Sequence, residues 1–322
     1  MSKLTLFKEY CEAIIRDGDF HEGLAPAITG LADMLYKLAE VNGNTELERK
    51  HISTESGSAI GTFWAAQCIK EIFRTQRFAR GLFKAIQHVR QKHTGRPAHV
   101  LYAGTGPFAT LALPAMALLT PKDVQFTMLE INPKSYKMLQ YILNTLGLNS
   151  FVRHFTITDA ATYKLRNDDV DIVLSETMNR ALIKEPQVSI MLNLASQLSQ
   201  KTIFIPEEIK VSLYQHDTND KMGHKLDDLM VFDKKFMFEL IEKCKNSEWL
   251  FEEKKLTVDL LPSTVLHYET EIKVYQSDFL KSSDCSLNFP EKLKTKDLIG
   301  RKVLKIHYTS IDIPGFRCQF LD

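Results

Sequence analysis

Across residues 3–92 apolar side chains return every three or four positions, the period of an α-helix with one buried face. Leu4, Phe7, Cys11, Ile14 and Ile15 mark a first helix, closed by Asp17-Gly18-Asp19. Leu24, Ile28, Leu31, Leu35 and Leu38 mark a second, ended by Asn42-Gly43-Asn44. The Gly- and Ser-containing stretch 52–61 reads as a loop of the kind that acts as a lid beside a ligand. From Thr62 to about Gln91 a further helical segment carries Phe63, Cys68, Ile72, Phe73, Phe78, Leu82, Phe83 and Ile86, together with Arg74, Arg77 and Arg80.

After the linker 93–97 the rhythm changes. A short apolar strand ends in Val100-Leu101-Tyr102 and runs into Ala103-Gly104-Thr105-Gly106. Phe108, Leu111, Leu113, Met116, Leu118 and Leu119 then follow at helical spacing, so the turn is expected to open directly into a buried helix. Strands at 124–130, 151–157, 170–174 and 202–205 alternate with helices at 133–146 and 186–198. That alternation predicts an α/β fold with a parallel, doubly wound, Rossmann-like sheet. Beyond Pro206 a period of two appears at 209–214, 269–275 and 302–308, which predicts an antiparallel β-rich unit. A charged, partly helical insert lies at 217–255. Three regions follow: an N-terminal helical layer over 1–95, a ligand-binding core over 96–206 and a β-rich substrate domain over 207–322.

With 322 residues there is room for one large or two medium domains. An apolar share of 44% and a formal net charge of +1 leave no polybasic footprint for nucleic acid and no acidic tail. The first fifteen residues read as an amphipathic helix and not a signal peptide, because Lys8, Glu9 and Glu12 interrupt any apolar core, and no run reaches the length of a membrane span. Five cysteines lie far apart, which speaks against a zinc site and against a disulfide framework. No metal, nucleic-acid or membrane partner is expected, and a reducing cytoplasm is the expected compartment.

In an open parallel sheet a ligand binds beyond the carboxyl ends of the strands. Gly104 and Gly106 can take positive φ there and let a ligand approach the backbone. Glu130 ends the second strand one αβ repeat later, where an acid accepts hydrogen bonds from ribose hydroxyls. Asp159 and Ala160 follow the third strand; Asp159 suits a purine amino group and equally a tight turn. The stretch SETMNRALIKEP then sets Glu176 and Glu185 nine residues apart across a strand-to-helix loop. Two carboxylates aimed into one site suit a planar cation, since an ionised carboxylate accepts guanidinium hydrogen bonds in pairs. Glu185 also fits as an acid favoured near a helix start.

These residues resemble the class I S-adenosylmethionine-dependent methyltransferases, and SETMNRALIKE is similar to the double-glutamate loop of the protein arginine N-methyltransferases. CIKEIFRTQRFARGLF, from Cys68 to Phe83, resembles that family's pre-core helix, whose arginine binds the methionine carboxylate, and IFIPEEIKVSLYQ resembles its crossing from core to barrel. The resemblance implies a C-terminal β-barrel-like domain and S-adenosylmethionine as cofactor, with S-adenosylhomocysteine as product. It places Arg74, Tyr102, Ala103, Gly104, Gly106, Glu130, Asp159 and Ala160 around the cofactor and gives Glu176 and Glu185 the catalytic role. A homodimer is a further expectation it carries, its arm falling in the insert.

The chain departs from that pattern. Tyr102 stands where the family has an acid, Phe108 where it has a small residue, and neither its paired tyrosines near 53–65 nor its Thr-His-Trp loop is visible. The added N-terminal layer and short C-terminal half favour a small guanidine or amine acceptor, such as arginine or a derivative, over a protein. O-methylation of a small metabolite, protein arginine methylation, and a cofactor-binding module without transfer activity are the alternatives. Two carboxylates this close are expected to raise the pKa of one of them while the site lacks a cation. His267 and His307, on β-rich segments, are left out of the site.

Overall fold

In the computed structural model the described residues are 2–18, 21–93, 95–166, 169–217, 223–244, 249–295 and 298–322. Asp19, Thr94, and residues 218–222 and 245–248 of the insert lie outside them.

The N-terminal layer is formed by α1 (Lys3–Ile15), α2 (His21–Ala39) and the single turn α3 (Glu46–Arg49). Phe7, Cys11, Ile14, Leu24, Ile28, Leu31 and Leu35 are buried along the faces their spacing marks. The stretch 52–61 is not a loop. Ile52–Thr54 (β1) and Gly57–Ala59 (β2) pair antiparallel as a hairpin, with Gly57 at φ +127. Each strand has three residues, too few for a periodicity, and outside contacts hold the pair: Ser58 N–H donates to Lys184 O at 2.8 Å and Asp312 N–H to Glu55 O at 2.8 Å.

The next helical segment is broken. α4 (Thr62–Gln67) passes through the 3₁₀ turn Cys68–Lys70 to Glu71, which is extended at φ −80 and ψ 96 before α5 (Ile72–Lys92) begins. Thr75 Oγ1 fixes the break by donating to Ile69 O at 3.0 Å. Farther along α5, buried Arg80 donates to Asp278 Oδ1 through Nε at 2.7 Å and to Arg16 O through Nη1 at 3.0 Å. One guanidinium thereby ties the N-terminal layer, α5 and the C-terminal domain together.

The core sheet holds β3 (Ala98–Ala103), β4 (Val124–Glu130), β5 (Val152–Ile157), β6 (Ile172–Ser175) and β7 (Ile203–Ile205), all parallel in the order β5-β4-β3-β6-β7. β3 is buried at every position and carries the glycine turn at its carboxyl end, beside the point where the strand order reverses. The helix expected directly after that turn is displaced. Residues 106–112 form turns, with Ala109 at φ 47, and α6 is only Leu113–Leu118. Pro114 is the reason: it lacks the N–H of a helix interior and its ring clashes with the carbonyl four residues back, so it fits the first turn of a helix and not its middle. α6 therefore does not begin at the glycine turn. α7 (Pro133–Thr145) starts as its sequence predicts, with Asn132 Oδ1 accepting from Lys134 N–H and Ser135 N–H and Pro133 in the first turn. α8 (Gln187–Ala195) follows β6.

The C-terminal domain is antiparallel. β8 (Glu208–Asp217), β9 (His224–Asp233), β11 (Thr264–Tyr275) and β12 (Asp278–Leu280) form one sheet, with β13 (Glu291–Lys292) added to β11. β10 (Lys254–Leu260), β14 (Gly300–Thr309) and β15 (Gly315–Leu321) form the other. The insert is partly helical, as expected, and also carries a strand: β9 pairs with β8, and α9 (Lys234–Lys243) follows, capped by Asp233 through Phe236 N–H.

Candidate active site

A cavity of about 990 Å³, counting its mouth open to solvent, lies at the carboxyl ends of β3, β4 and β6. Its wall takes Arg74 from α5, Tyr102, Gly104 and Gly106 from the glycine turn, Glu130 from β4, Asp159 and Ala160 after β5, and Glu176 and Glu185 after β6. Ala103 is the exception among the residues singled out by sequence. It is fully buried within the sheet, paired with Leu129 and Ser175, because alternate residues of a strand face opposite ways.

Gly104 and Gly106 have φ of +74 and +61. A Cβ on Gly104 would stand 2.2 Å from Thr177 Cγ2, so this turn accepts only glycine. Glu130 closes over it: Oε2 accepts from Gly106 N–H at 2.7 Å and from Thr105 Oγ1 at 3.3 Å, and Oε1 accepts from Asn132 N–H at 2.7 Å. Burial raises the Glu130 carboxyl above its ordinary range against the pull of these bonds. Asp159 makes the tight turn, its Oδ1 accepting from Ala161 N–H at 2.8 Å, and Asn193 Nδ2 donates to Ala160 O at 2.9 Å.

Arg74 sits in the first turn of α5 and is 6% exposed. Its Nε and Nη2 donate to Glu176 Oε2 at 2.9 and 2.5 Å, and its Nη1 to Glu71 Oε1 at 3.0 Å. Glu71 in turn accepts from the N–H and Oγ of Ser286, in the C-terminal domain, at 2.8 and 2.7 Å. Glu176 Oε1 is buried and has no hydrogen-bond partner among the described residues. A buried carboxylate oxygen left in this state is costly unless a donor arrives. The Glu185 carboxylate makes no hydrogen bond among the described residues. Desolvation first, and repulsion from Glu176 second, push its pKa from the ordinary 4.5 up to about 7, while Arg74 opposes the rise.

The loop between the two glutamates is held from outside. Ala181, Leu182 and Lys184 have φ of 52, 54 and 71, a region costly for side chains other than glycine. Ala181 N–H donates to Thr270 Oγ1 at 2.9 Å, Tyr308 OH to Leu182 O at 2.9 Å, and Lys184 N–H to Pro314 O at 2.8 Å. The hairpin and two strands of the C-terminal domain together fix where Glu185 stands. Sequence reading missed Glu71, Thr177, Gln187, Ser286 and Tyr308. Only the helix break at Glu71 had a local trace, in the Lys70-Glu71 charges that interrupt an apolar face. His267 lies elsewhere, on the β8–β11 face, with Nδ1 3.2 Å from His216 Nδ1 and Nε2 3.3 Å from Glu269 Oε1.

No sequence profile of a known protein family matches the chain, nor does any curated protein. Among solved structures it is similar to Arabidopsis thaliana protein arginine methyltransferase 10, with a TM-score of 0.51 and 9% identity over 78% of this chain and 95% of that one. The fold is that of the protein arginine methyltransferases. Another match is the Trypanosoma brucei PRMT1 enzyme–prozyme heterotetrameric complex with AdoHcy, with a TM-score of 0.48 and 13% identity over 79% of this chain and 96% of that one. The likeness takes in the N-terminal helices, the five-stranded parallel sheet and the C-terminal antiparallel domain together.

The raised Glu185 carboxyl has a consequence for stability. Between about pH 4.5 and 7 the folded protein holds a proton at Glu185 that the unfolded chain has released, so stability falls as pH rises through this window. The loss is on the order of 3 kcal/mol by pH 8. Glu185→Gln is expected to flatten this part of the profile. Denaturant midpoints of both proteins from pH 4.5 to 8 check it, and parallel profiles would show that Glu185 titrates normally.

Proposed function

We propose that the protein is an S-adenosylmethionine-dependent N-methyltransferase acting on the guanidine, or failing that the amine, of a small molecule. The observation that carries this reading is the buried, unpartnered Oε1 of Glu176 in one cavity with the unpaired Glu185 carboxylate and the glycine turn. The residues fit the cofactor. Glu130 would accept from the ribose hydroxyls, Asp159 and Ala160 would meet the adenine edge, and Gly104 and Gly106 would allow close approach of the chain between them. Arg74 has spent three of its five N–H groups on Glu176 and Glu71, which leaves one on each terminal nitrogen for the methionine carboxylate. When bound, the cofactor supplies a methyl group on a cationic sulfur.

The chain's own residues do the rest. A guanidinium keeps its lone pair delocalised and its proton above about pH 12. Glu176 Oε1 and Glu185 accept from two of its nitrogens, draw positive charge toward themselves and orient the third. A cation between them returns Glu185 to its ionised form, and Glu185 takes the proton released after transfer. The hairpin bonded to Lys184 and the 310–315 segment bonded to Glu55 and Lys184 roof the loop, which supports a small acceptor over an extended peptide. The reading includes a reducing, cytoplasmic setting, on the wide spacing of the five cysteines along the chain.

The test is methyl transfer from isotopically labelled S-adenosylmethionine to free arginine, agmatine, other guanidines, simple amines and an arginine-rich peptide, read by mass spectrometry. Label in a small guanidine is the expected result. Label in the peptide alone would make this a protein methyltransferase. No label in this panel despite cofactor binding, with or without label in oxygen acceptors tried outside it, would overturn the reading.

A further inference from the structure

We propose that Gln187 is a positioning residue that sets the separation of the two site carboxylates. It is the first residue of α8, fully buried, and does not line the cavity. Its Oε1 accepts from Thr177 N–H at 2.9 Å, from Thr177 Oγ1 at 2.9 Å and from Ser175 Oγ at 3.3 Å, while its Nε2 donates to Ser175 O at 3.1 Å. Ser175 and Thr177 are the two neighbours of Glu176. Gln187 is itself two residues past Glu185, joined through Pro186. One planar amide thus clasps the backbone on both sides of the first carboxylate and is tied by a short, stiff segment to the second.

The chemistry of the clasp is specific. An acceptor must face the Thr177 N–H and a donor must face the Ser175 carbonyl, at the reach of a Gln side chain. A carboxylate lacks the donor, and Asn is a methylene short. The long way round the loop cannot do this job. It passes through three left-handed residues whose positions depend on Thr270, Tyr308 and Pro314. Through Thr177 the clasp also sets the methyl group that lies against Gly104, so the glycine turn and the carboxylate pair share one reference point.

The role in catalysis rests on the proposed methyltransferase reading; the spacing itself does not. The experiment is a titration of carboxyl-¹³C-glutamate in the full-length protein with S-adenosylhomocysteine present, the Glu185 signal being assigned by its loss in Glu185→Gln. In the wild type its midpoint is expected near 7. Gln187→Met, which has no amide, is expected to let the carboxylates separate and to lower that midpoint by about one pH unit or more. Gln187→Asn, polar but too short, is expected to move it the same way and serves if the Met variant does not fold.

Agmatine binding, measured by calorimetry on the same samples, is expected to weaken at least tenfold in both variants. A purely structural residue would lower the melting temperature and leave the Glu185 midpoint in place; that result overturns the proposal. If the wild type binds no guanidine while the midpoint still moves with residue 187, the acceptor reading fails and the positioning role stands. An unmoved midpoint with unchanged agmatine affinity in both variants leaves the acceptor reading intact and overturns the role of Gln187.

Discussion

Glu185→Gln is expected to lower methyl transfer to a guanidine by about 10²–10⁴-fold, the range over which a positioned acid–base group acts, while S-adenosylhomocysteine binds as tightly as before. The neutral amide keeps the size of the carboxylate and removes what the reaction needs: a second anion for the guanidinium and a site for the released proton. Glu185 reaches the cavity from a loop pinned by Ser58, Thr270, Tyr308 and Pro314, so the substitution leaves the backbone where it is. Single-turnover transfer with saturating cofactor, run beside calorimetry, separates the chemical step from binding. A variant that still methylates guanidines within tenfold of the wild type would sink the two-carboxylate mechanism. Retained transfer to an oxygen acceptor, with guanidine transfer lost, would reduce Glu185 to an acceptor-specific role.

Arg74→Met is expected to be the most destabilising change in the site, by about 3–5 kcal/mol, because it leaves Glu176 buried at 7% side-chain exposure with no compensating charge. Burial already raises the Glu176 carboxyl, and the guanidinium donating twice to Oε2 is what opposes that rise. Without Arg74 the Glu176 carboxyl rises further, and the variant also loses the N–H groups assigned to the methionine carboxylate, so cofactor affinity falls with stability. Adding Glu176→Gln removes the orphaned charge and is expected to restore most of the lost stability without restoring cofactor affinity. Denaturant titrations of the two single variants and the double variant measure this coupling. If Arg74→Met costs under about 1 kcal/mol, the pair is not the buried ion pair that its geometry describes.

Both predictions rest on residues whose importance was legible before any fold was seen, and the reason is local. Gly104, Gly106, Glu130 and Glu176 lie at strand ends, and a parallel αβ repeat brings all of its strand ends to one crevice whatever the helices between them do; Glu185 was legible through the double-glutamate spacing. Arg74 was legible through the likeness of its helix to a known one. Its position on the cavity wall required the break at Glu71, where the extended residue turns the first turn of α5 toward the sheet. Ala103 adjoins the glycine turn in sequence, while strand alternation sends its side chain to the other side of the sheet.

Apolar periodicity by itself determined the helical layer, the five parallel strands and the antiparallel character of the C-terminal domain, since each such element must bury a face at its own repeat. Tertiary structure alone decided the hairpin at 52–59 and the strained path from Thr177 to Lys184. Each is held by bonds to residues far along the chain: Lys184 to Ser58 and Pro314, Leu182 to Tyr308, Glu71 to Ser286. The same holds for the electrostatics. Sequence placed two acids in one site, and the folded chain set their inequality, neutralising Glu176 with Arg74 and leaving Glu185 desolvated beside it. A carboxylate's proton affinity follows from burial and from charges within a few ångströms, and those distances exist only once the chain has folded.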